Sequence, residues 1–441
     1  MTDELAIGGV TPLRGRVRVP GDKGISHRAL LFAAMADGTS RAVGLARGDD
    51  VSRTRHALTV FGVPVTVTAA EVTVDGHGID ALRPSTEAID CGNSGTTIRT
   101  LTGLLSGRGF RSVLTGDASL RTRPMGRILD PVGLMGAKVI AATEGGRLPV
   151  TLAGARDPIP IVYRTPVASA QIKSAVLLAG LAAPGTTVVI ETEASRDHTE
   201  RMLGHFGAEV VSEPDGPHGR KITLRGQPEL VPAAVAVPAD PSSAAFPMVA
   251  ALIVPGSDIL LADVMTNPLR TGLMTTLREM GAAIVPEEAK SDGGEAMAGL
   301  RVRSTPLRGV EVPAERAPSM IDEYPVLAVA ASFAEGTTVM RGLKELRVKE
   351  SDRLAATAAM LRVNGIEAEI AGDDLFVHGR GHAAGGGLVA TRMDHRIAMS
   401  ALVLGLAAQR PVTIDDGAFI ATSFPGFADM MRRLGGEVGN G

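Results

Sequence analysis

Arg201-Met-Leu-Gly-His-Phe-Gly207-Ala-Glu-Val-Val211 reads as the end of a helix, a glycine, and the opening of a strand. Its apolar residues fall at helical spacing before Gly207, and the residues after it alternate as a half-buried strand does. A glycine at that junction is a common way for a helix to stop. The same junction recurs at Phe61-Gly62, Met135-Gly136, Met280-Gly281, Asn364-Gly365 and Leu434-Gly435. The intervals, about 70 to 84 residues, are too long for a solenoid unit and too short for a large independent domain. The pattern predicts six copies of one small α/β module.

A second, more apolar helix is expected in each module, around Ala29-Leu-Leu-Phe-Ala-Ala-Met35, Ile98-Arg-Thr-Leu-Thr-Gly-Leu-Leu105, Lys173-Ser-Ala-Val-Leu-Leu178, Ala245-Phe-Pro-Met-Val249, Pro325-Val-Leu-Ala-Val329 and Ile397-Ala-Met-Ser-Ala-Leu402. Being apolar nearly all round, these helices should be buried. Their approaches are polar and small: Gly21-Asp-Lys-Gly-Ile-Ser-His-Arg28, Cys91-Gly-Asn-Ser-Gly-Thr-Thr97, Val167-Ala-Ser-Ala-Gln171, Pro238-Ala-Asp-Pro-Ser-Ser243, Pro318-Ser-Met-Ile-Asp322 and Met393-Asp-His-Arg396. A helix start exposes unpaired N–H groups and a partial positive charge, so several of them together favour anions. Leu120-Arg-Thr-Arg-Pro-Met-Gly-Arg127, Ser195-Arg-Asp-His-Thr-Glu-Arg201 and Arg347-Val-Lys-Glu-Ser-Asp-Arg353 add guanidinium and ammonium groups beside carboxylates. Phosphate or carboxylate ligands are predicted.

Composition narrows the class. The 441 residues suffice for two domains. Hydrophobic content is 44%, yet no eighteen-residue run escapes a charge or breaker, which argues against a membrane span. Met1-Thr-Asp-Glu-Leu5 lacks the basic start and apolar core of a secretion signal, so a cytoplasmic location is expected. A single cysteine, Cys91, excludes an intrachain disulfide and a thiolate zinc cluster; it reads as a small buried residue. Net charge of −3 with 3% aromatics removes the footprint of a nucleic-acid binder and leaves small molecules as partners, with a monomer as the default.

Five stretches then carry a resemblance: Pro20-Gly-Asp-Lys-Gly-Ile-Ser-His-Arg28, Gly92-Asn-Ser-Gly-Thr-Thr-Ile-Arg99, Arg123-Pro-Met-Gly126, Arg347-Val-Lys-Glu-Ser-Asp-Arg353 and Asp394-His-Arg396. In this order, from about residue 12 to 435, the chain resembles the 5-enolpyruvylshikimate-3-phosphate synthase family of enolpyruvyl transferases. The resemblance implies a two-lobed α/β fold of six βαβαββ repeats, three per lobe around buried parallel helices, with the active site in the cleft between lobes. Crossings near Pro20-Gly21 and Pro238-Asp240 would leave residues 1–20 and 239–441 as a discontinuous lobe and 21–238 as a continuous one.

The activity implied is transfer of the enolpyruvyl group of phosphoenolpyruvate to the 5-hydroxyl of shikimate 3-phosphate by addition and elimination, with phosphate released and no metal or cofactor. A carbon must gain a proton while a hydroxyl loses one, so an acid, a base and cations are needed. By position in the matching motifs, Lys23, Gly95, Arg123, Gln171, Arg353 and Arg396 resemble the phosphoenolpyruvate contacts. Lys23, Gly24, Arg28, Ser169, Ala170, Gln171, Arg196, Asp322 and Lys349 resemble those for shikimate 3-phosphate. Asp322 beside the hydroxyl and Glu350 beside the methylene carbon form the expected acid/base pair, with Lys23 and His395 assisting.

Three departures stand out. Gly24 replaces a common serine, at a cost of about 0.5–1.5 kcal/mol for one neutral hydrogen bond. Thr422, in Ala421-Thr-Ser-Phe-Pro425, replaces a common lysine, and Gly95 retains the residue that a herbicide-tolerant branch replaces with alanine, so glyphosate should compete with phosphoenolpyruvate. Plainer readings compete elsewhere: Arg121, Arg127 and Arg347 as solvated charges, Asp352 and Asp394 as caps or ion-pair partners, Gly92 and Gly95 as turn formers, and His56, His198 and His205 as surface or packing residues. The nearest rival function, UDP-N-acetylglucosamine enolpyruvyl transfer, uses a cysteine in the loop matching Gly116–Arg123, where this chain has none. A non-catalytic binding paralogue would have no use for two buried carboxylates.

Overall fold

The computed structural model describes residues 5–7 and 11–440. Its strands form six sheets, and each sheet repeats one plan. In the plainest copy, strand Val162–Arg164 leads through helix Ala170–Gly180 to the parallel strand Thr186–Glu191. Helix His198–His205 then leads to the hairpin Val210–Asp215 and Gly219–Arg225, whose second strand lies antiparallel to Thr186–Glu191. This is βαβαββ: a helix crossover makes the parallel pair, and a tight turn makes the antiparallel one.

Three modules borrow a strand from a distant part of the chain. Ala234–Ala236 runs parallel to Asp37–Val43, with Ala234 opposite Arg41. Arg14–Val17 runs parallel to Asp258–Met265, and Leu5–Ile7 lies antiparallel between Val412–Ile414 and Val438–Asn440. The repeat is therefore circularly completed. The chain divides into two compact units, one of residues 1–20, 238–291 and 295–441 and one of residues 21–237 and 292–294. Three of the sheets belong to each.

The six repeat glycines are all left-handed, with φ of 86° at Gly62, 103° at Gly136, 92° at Gly207, 100° at Gly281, 78° at Gly365 and 107° at Gly435. In every case the residue after the glycine donates its N–H to the carbonyl five residues back, as Val63 does to Leu58 and Ala208 to Leu203, at 2.9–3.2 Å. This closes the helix end and satisfies carbonyls that would otherwise lack partners. A residue bearing Cβ would lose about 1–2 kcal/mol in that conformation.

The apolar helices are buried as their composition predicts. Every residue of Pro241–Ile253, Tyr324–Ser332 and His395–Gly405 is buried, and these three pack against one another in their unit. In the other unit Lys23–Met35, Gly95–Ser106 and Ala170–Gly180 play the same part. Two of them approach so closely that a Cβ built on Gly103 would stand 2.4 Å from the Ala175 carbonyl oxygen, so only glycine fits there.

Four of the six helices are capped by a side chain. Asp22, Ser94, Asp240 and Asp394 accept N–H bonds at 2.8, 3.1, 3.0 and 3.0 Å from Ile25, Thr97, Ser242 and Arg396. The other two starts differ. Ser169 makes no side-chain cap bond, and the helix beginning at Tyr324 follows Glu323, which places Asp322 in the turn after the short helix Ala317–Met320. Among the described residues no helix is long and apolar enough to cross a membrane.

Candidate active site

In the 21–237 unit, the expected residues gather at helix starts. Lys23 is the first residue of its helix, and its Nζ lies 2.8 Å from Asp50 Oδ2, in the first turn of helix Asp49–Val60. The Asp50 carbonyl accepts from Thr97 Oγ1 at 3.1 Å, which ties this pair to the start of helix Gly95–Ser106. Thr97 also bonds Ser94 Oγ and Thr54 Oγ1, and Thr54 in turn bonds His27 Nδ1 at 2.7 Å.

Gly95 stands between two guanidinium groups. A Cβ there would lie 2.7 Å from Arg99 Nη1 and 3.1 Å from Arg123 Nη1. Arg123 is buried and donates to Asn93 Oδ1 at 2.5 Å, while Arg99 Nη1 donates to Gln171 Oε1 at 2.8 Å. Gly95, Arg123 and Gln171 are thus brought together, and Arg99 joins them. Arg99 is the residue that motif matching passed over. A charged side chain one turn into an otherwise apolar helix is the signal that could have singled it out, because an unpaired charge is rarely buried there.

Arg28 is 5% exposed and braces three elements: Nε to Thr199 Oγ1 at 2.7 Å, Nη1 to the Gly24 carbonyl at 2.9 Å, and Nη2 to Ser174 Oγ at 2.6 Å. Ser174 Oγ reaches the Ala170 carbonyl at 2.6 Å, so Arg28 sits one hydroxyl away from Ser169, Ala170 and Gln171. Those three residues and Arg196 are half-buried. Gly24 has crowded surroundings: a Cβ would lie 3.1 Å from the capping Asp22 Oδ1 and 3.4 Å from Arg28 Nη1.

The other unit centres on Arg353, the first residue of helix Arg353–Val363 and only 1% exposed. Each side-chain nitrogen meets a different carboxylate: Nε donates to Asp394 Oδ2 at 2.8 Å, Nη1 to Asp322 Oδ1 at 3.0 Å, and Nη2 contacts Glu350. Lys349 Nζ lies 3.3 Å from the same Asp322 oxygen, and Arg396 Nη1 donates to the Asp322 carbonyl at 3.4 Å. Ser351 Oγ adds a bond to Asp394 Oδ2 at 2.9 Å. The expected acid and base therefore share one guanidinium, with Lys349 and Arg396 alongside and His395 buried next to Arg396.

Charge and burial compete strongly at this cluster. Burial pulls the Arg353 pKa down, but Asp394, Glu350 and Asp322 outweigh it and hold the guanidinium above its ordinary value. Burial likewise pushes the Asp394 carboxyl up, and the Arg353 charge overrides it, leaving Asp394 below the usual carboxylate range. Asp394 proves to be both helix cap and ion-pair partner, and Asp352 caps its own helix through the Ala355 N–H at 3.0 Å.

Arg121 is exposed, as its plainer reading expects, whereas Arg347 is not a merely solvated charge: it pairs with Asp373 and Asp352 and braces its loop. Thr422 bonds back to the Phe419 carbonyl at 2.7 Å. His198 is a buried packing residue, whereas His56 and His205 are exposed. Cys91 is fully buried, and burial pushes its thiol up to about 12, which suits neither a nucleophile nor a metal ligand near neutrality.

With this geometry in place, the likeness to known proteins is close over the whole chain. The family described as EPSP synthase (3-phosphoshikimate 1-carboxyvinyltransferase) matches residues 7–431. A protein named 3-phosphoshikimate 1-carboxyvinyltransferase from Rhodopseudomonas palustris (strain HaA2) is 66% identical over 428 residues, covering 97% of this chain and 96% of its own. One of the same name from Afipia carboxidovorans is 66% identical over 430 residues, covering 97% of each. The solved EPSP synthase of Acinetobacter baumannii superposes with a TM-score of 0.88 at 42% identity, covering 100% of both chains.

Proposed function

The chain belongs to the EPSP synthase family, the 3-phosphoshikimate 1-carboxyvinyltransferases, and on that premise we propose that it moves the enolpyruvyl group of phosphoenolpyruvate to the 5-hydroxyl of shikimate 3-phosphate, releasing phosphate, as a step of aromatic amino-acid biosynthesis. The observation that carries the mechanistic part is the seating of Asp322 and Glu350 on separate nitrogens of the buried Arg353. In the addition step Asp322 takes the hydroxyl proton as the oxygen bonds to the enol carbon, and Glu350 protonates the methylene carbon. In the elimination step Glu350 takes a proton back from that carbon while the carbon–oxygen bond to phosphate breaks, and the departing phosphate carries off the proton held by Asp322. Arg353 aims both carboxylates, since each carboxylate has a fixed partner nitrogen.

Phosphoenolpyruvate is assigned to Lys23, Gly95, Arg123, Gln171, Arg353 and Arg396, with Arg99 added. Two guanidinium groups flanking a residue without a side chain suit a compact dianion. Shikimate 3-phosphate is assigned to Lys23, Gly24, Arg28, Ser169, Ala170, Gln171, Arg196, Asp322 and Lys349, with Arg28 acting from below through Ser174. The enzyme works as a monomer in the cytoplasm without a metal; light scattering and turnover after dialysis against chelator test the state and the metal independence. Catalysis is tested by phosphate release from phosphoenolpyruvate with either acceptor. Release with shikimate 3-phosphate alone is expected, and release only with UDP-N-acetylglucosamine would overturn the assignment.

A further inference from the structure

Under the Arg196 corner of the 21–237 unit lies a buried ion triad that the chemistry above does not use. Lys173 Nζ stands 2.8 Å from Glu191 Oε2 and 2.8 Å from Glu200 Oε1, and the three side chains are 1%, 0% and 6% exposed. Lys173 Nζ also donates to the Ser195 carbonyl at 3.3 Å. Glu191 completes a clamp on the same residue: one oxygen takes the Ser195 hydroxyl and the other the Ser195 N–H at 3.4 Å. The backbone on both sides of the Ser195 peptide unit is thus pinned immediately before Arg196.

The same lysine ties this corner to the other half of its substrate site. Lys173 lies on helix Ala170–Gly180, and its N–H bonds the Ser169 carbonyl at 3.2 Å. Glu200 lies in the first turn of helix His198–His205, and its neighbour Thr199 bonds Ser174 and Arg28. Two carboxylates and one ammonium removed from water are an expensive way to fill a core, since apolar side chains of like volume usually serve stability as well or better. Burial pushes the Glu200 carboxyl above its ordinary range despite Lys173, and the two carboxylates hold Lys173 above its own against burial.

We propose that Lys173, Glu191, Glu200 and Ser195 are positioning residues, which fix the Arg196 guanidinium relative to Ser169, Ala170 and Gln171 and so set affinity for the phosphate of shikimate 3-phosphate. This rests on the assignment of Arg196 to that ligand. The triad joins the strand end at Glu191, the corner at 195–197 and two helix starts, so a shift of the corner breaks bonds in all of them.

The cleanest test cuts the tether and leaves the triad buried. Ser195→Ala is expected to raise KM for shikimate 3-phosphate about tenfold, while KM for phosphoenolpyruvate stays within about twofold. Arg196→Ala should raise the same KM at least as far, and adding Ser195→Ala to it should change nothing further. A charge-conserving pair, Lys173→Met with Glu200→Gln, should reproduce the Ser195→Ala pattern if it folds; if it does not, the Ser195 cycle decides alone. Equal rises in both KM values, or additivity with Arg196→Ala, would overturn the positioning role while leaving Arg196 as a ligand contact. An Arg196→Ala variant with unchanged KM would sink the contact and the positioning role together.

Discussion

Glu350 and Asp322 occupy separate nitrogens of Arg353, so removing one leaves the other oriented. Glu350→Gln keeps the shape of the side chain and removes its proton. On the proposed mechanism kcat should fall about 10²- to 10⁴-fold with KM changed only severalfold, read by steady-state phosphate release. A large rise in KM with kcat intact would make Glu350 a binding group. At Gly95, alanine would bring a carbon to 2.7 Å from Arg99 Nη1, so both neighbouring guanidiniums must retreat. Gly95→Ala should therefore raise KM for phosphoenolpyruvate about tenfold and weaken inhibition by glyphosate, which in the parent should compete with phosphoenolpyruvate. Unchanged inhibition would show that the two ligands do not share these cations. His27 bears on pH. Burial above all, against Asp50 and with help from Lys23 and Arg28, lowers its pKa from 6.5 to about 3. The folded state holds it neutral while the unfolded chain takes a proton, so stability is full above pH 6.5 and declines as pH falls towards 3. The loss amounts to about 3 kcal/mol by about pH 4, and urea midpoints of His27→Gln should lack it. Parallel pH curves for parent and variant would refute this.

At the level of elements, five of the residues assigned to substrate fall at helix starts: Lys23 and Gly95 at first positions, Gln171 and Arg396 at second, with Arg353 opening its own helix. An apolar helix pays no penalty for a buried body, and its polar start must then meet either a cap or a ligand. Four caps are side chains, whereas Ser169 leaves its start uncapped at the place assigned to shikimate 3-phosphate. The far ends of the partner helices are governed by the repeat glycines. Gly281 has φ of 100°, and a Cβ there would meet only the Pro306 carbonyl oxygen at 3.4 Å, so its requirement is conformational. Gly281→Ala should cost about 1–2 kcal/mol in chemical denaturation, and Gly281→Asn less, because asparagine tolerates the left-handed region. Equal losses for the two would point to the carbonyl contact instead.

For the molecule as a whole, the continuous unit closes its own first sheet with Ala234–Ala236 laid beside Asp37–Val43. A fragment of residues 21–237 should accordingly unfold cooperatively, and one ending at residue 233 should be less stable by a measurable shift in midpoint, since the edge of that sheet is uncovered. A fragment 21–237 with no cooperative transition would refute its independence. Much of this architecture is legible in the sequence. The helix stop at Gly207 and its five counterparts, the apolar helices, and the capping roles of Asp22, Ser94, Asp240 and Asp394 are decided within a few residues, by left-handed backbone, periodic apolarity and local hydrogen bonds. Resemblance in five motifs adds the candidate residues. What local sequence does not encode is which distant groups meet. The borrowed strands Leu5–Ile7, Arg14–Val17 and Ala234–Ala236, the partnership of Arg99 with Gln171, the Asp322 and Asp394 carboxylates on Arg353, and the Lys173 triad each join residues far apart in the chain. Only tertiary packing decides those pairings, because a charge removed from water must find its partner in space, and the chain reaches that partner by folding.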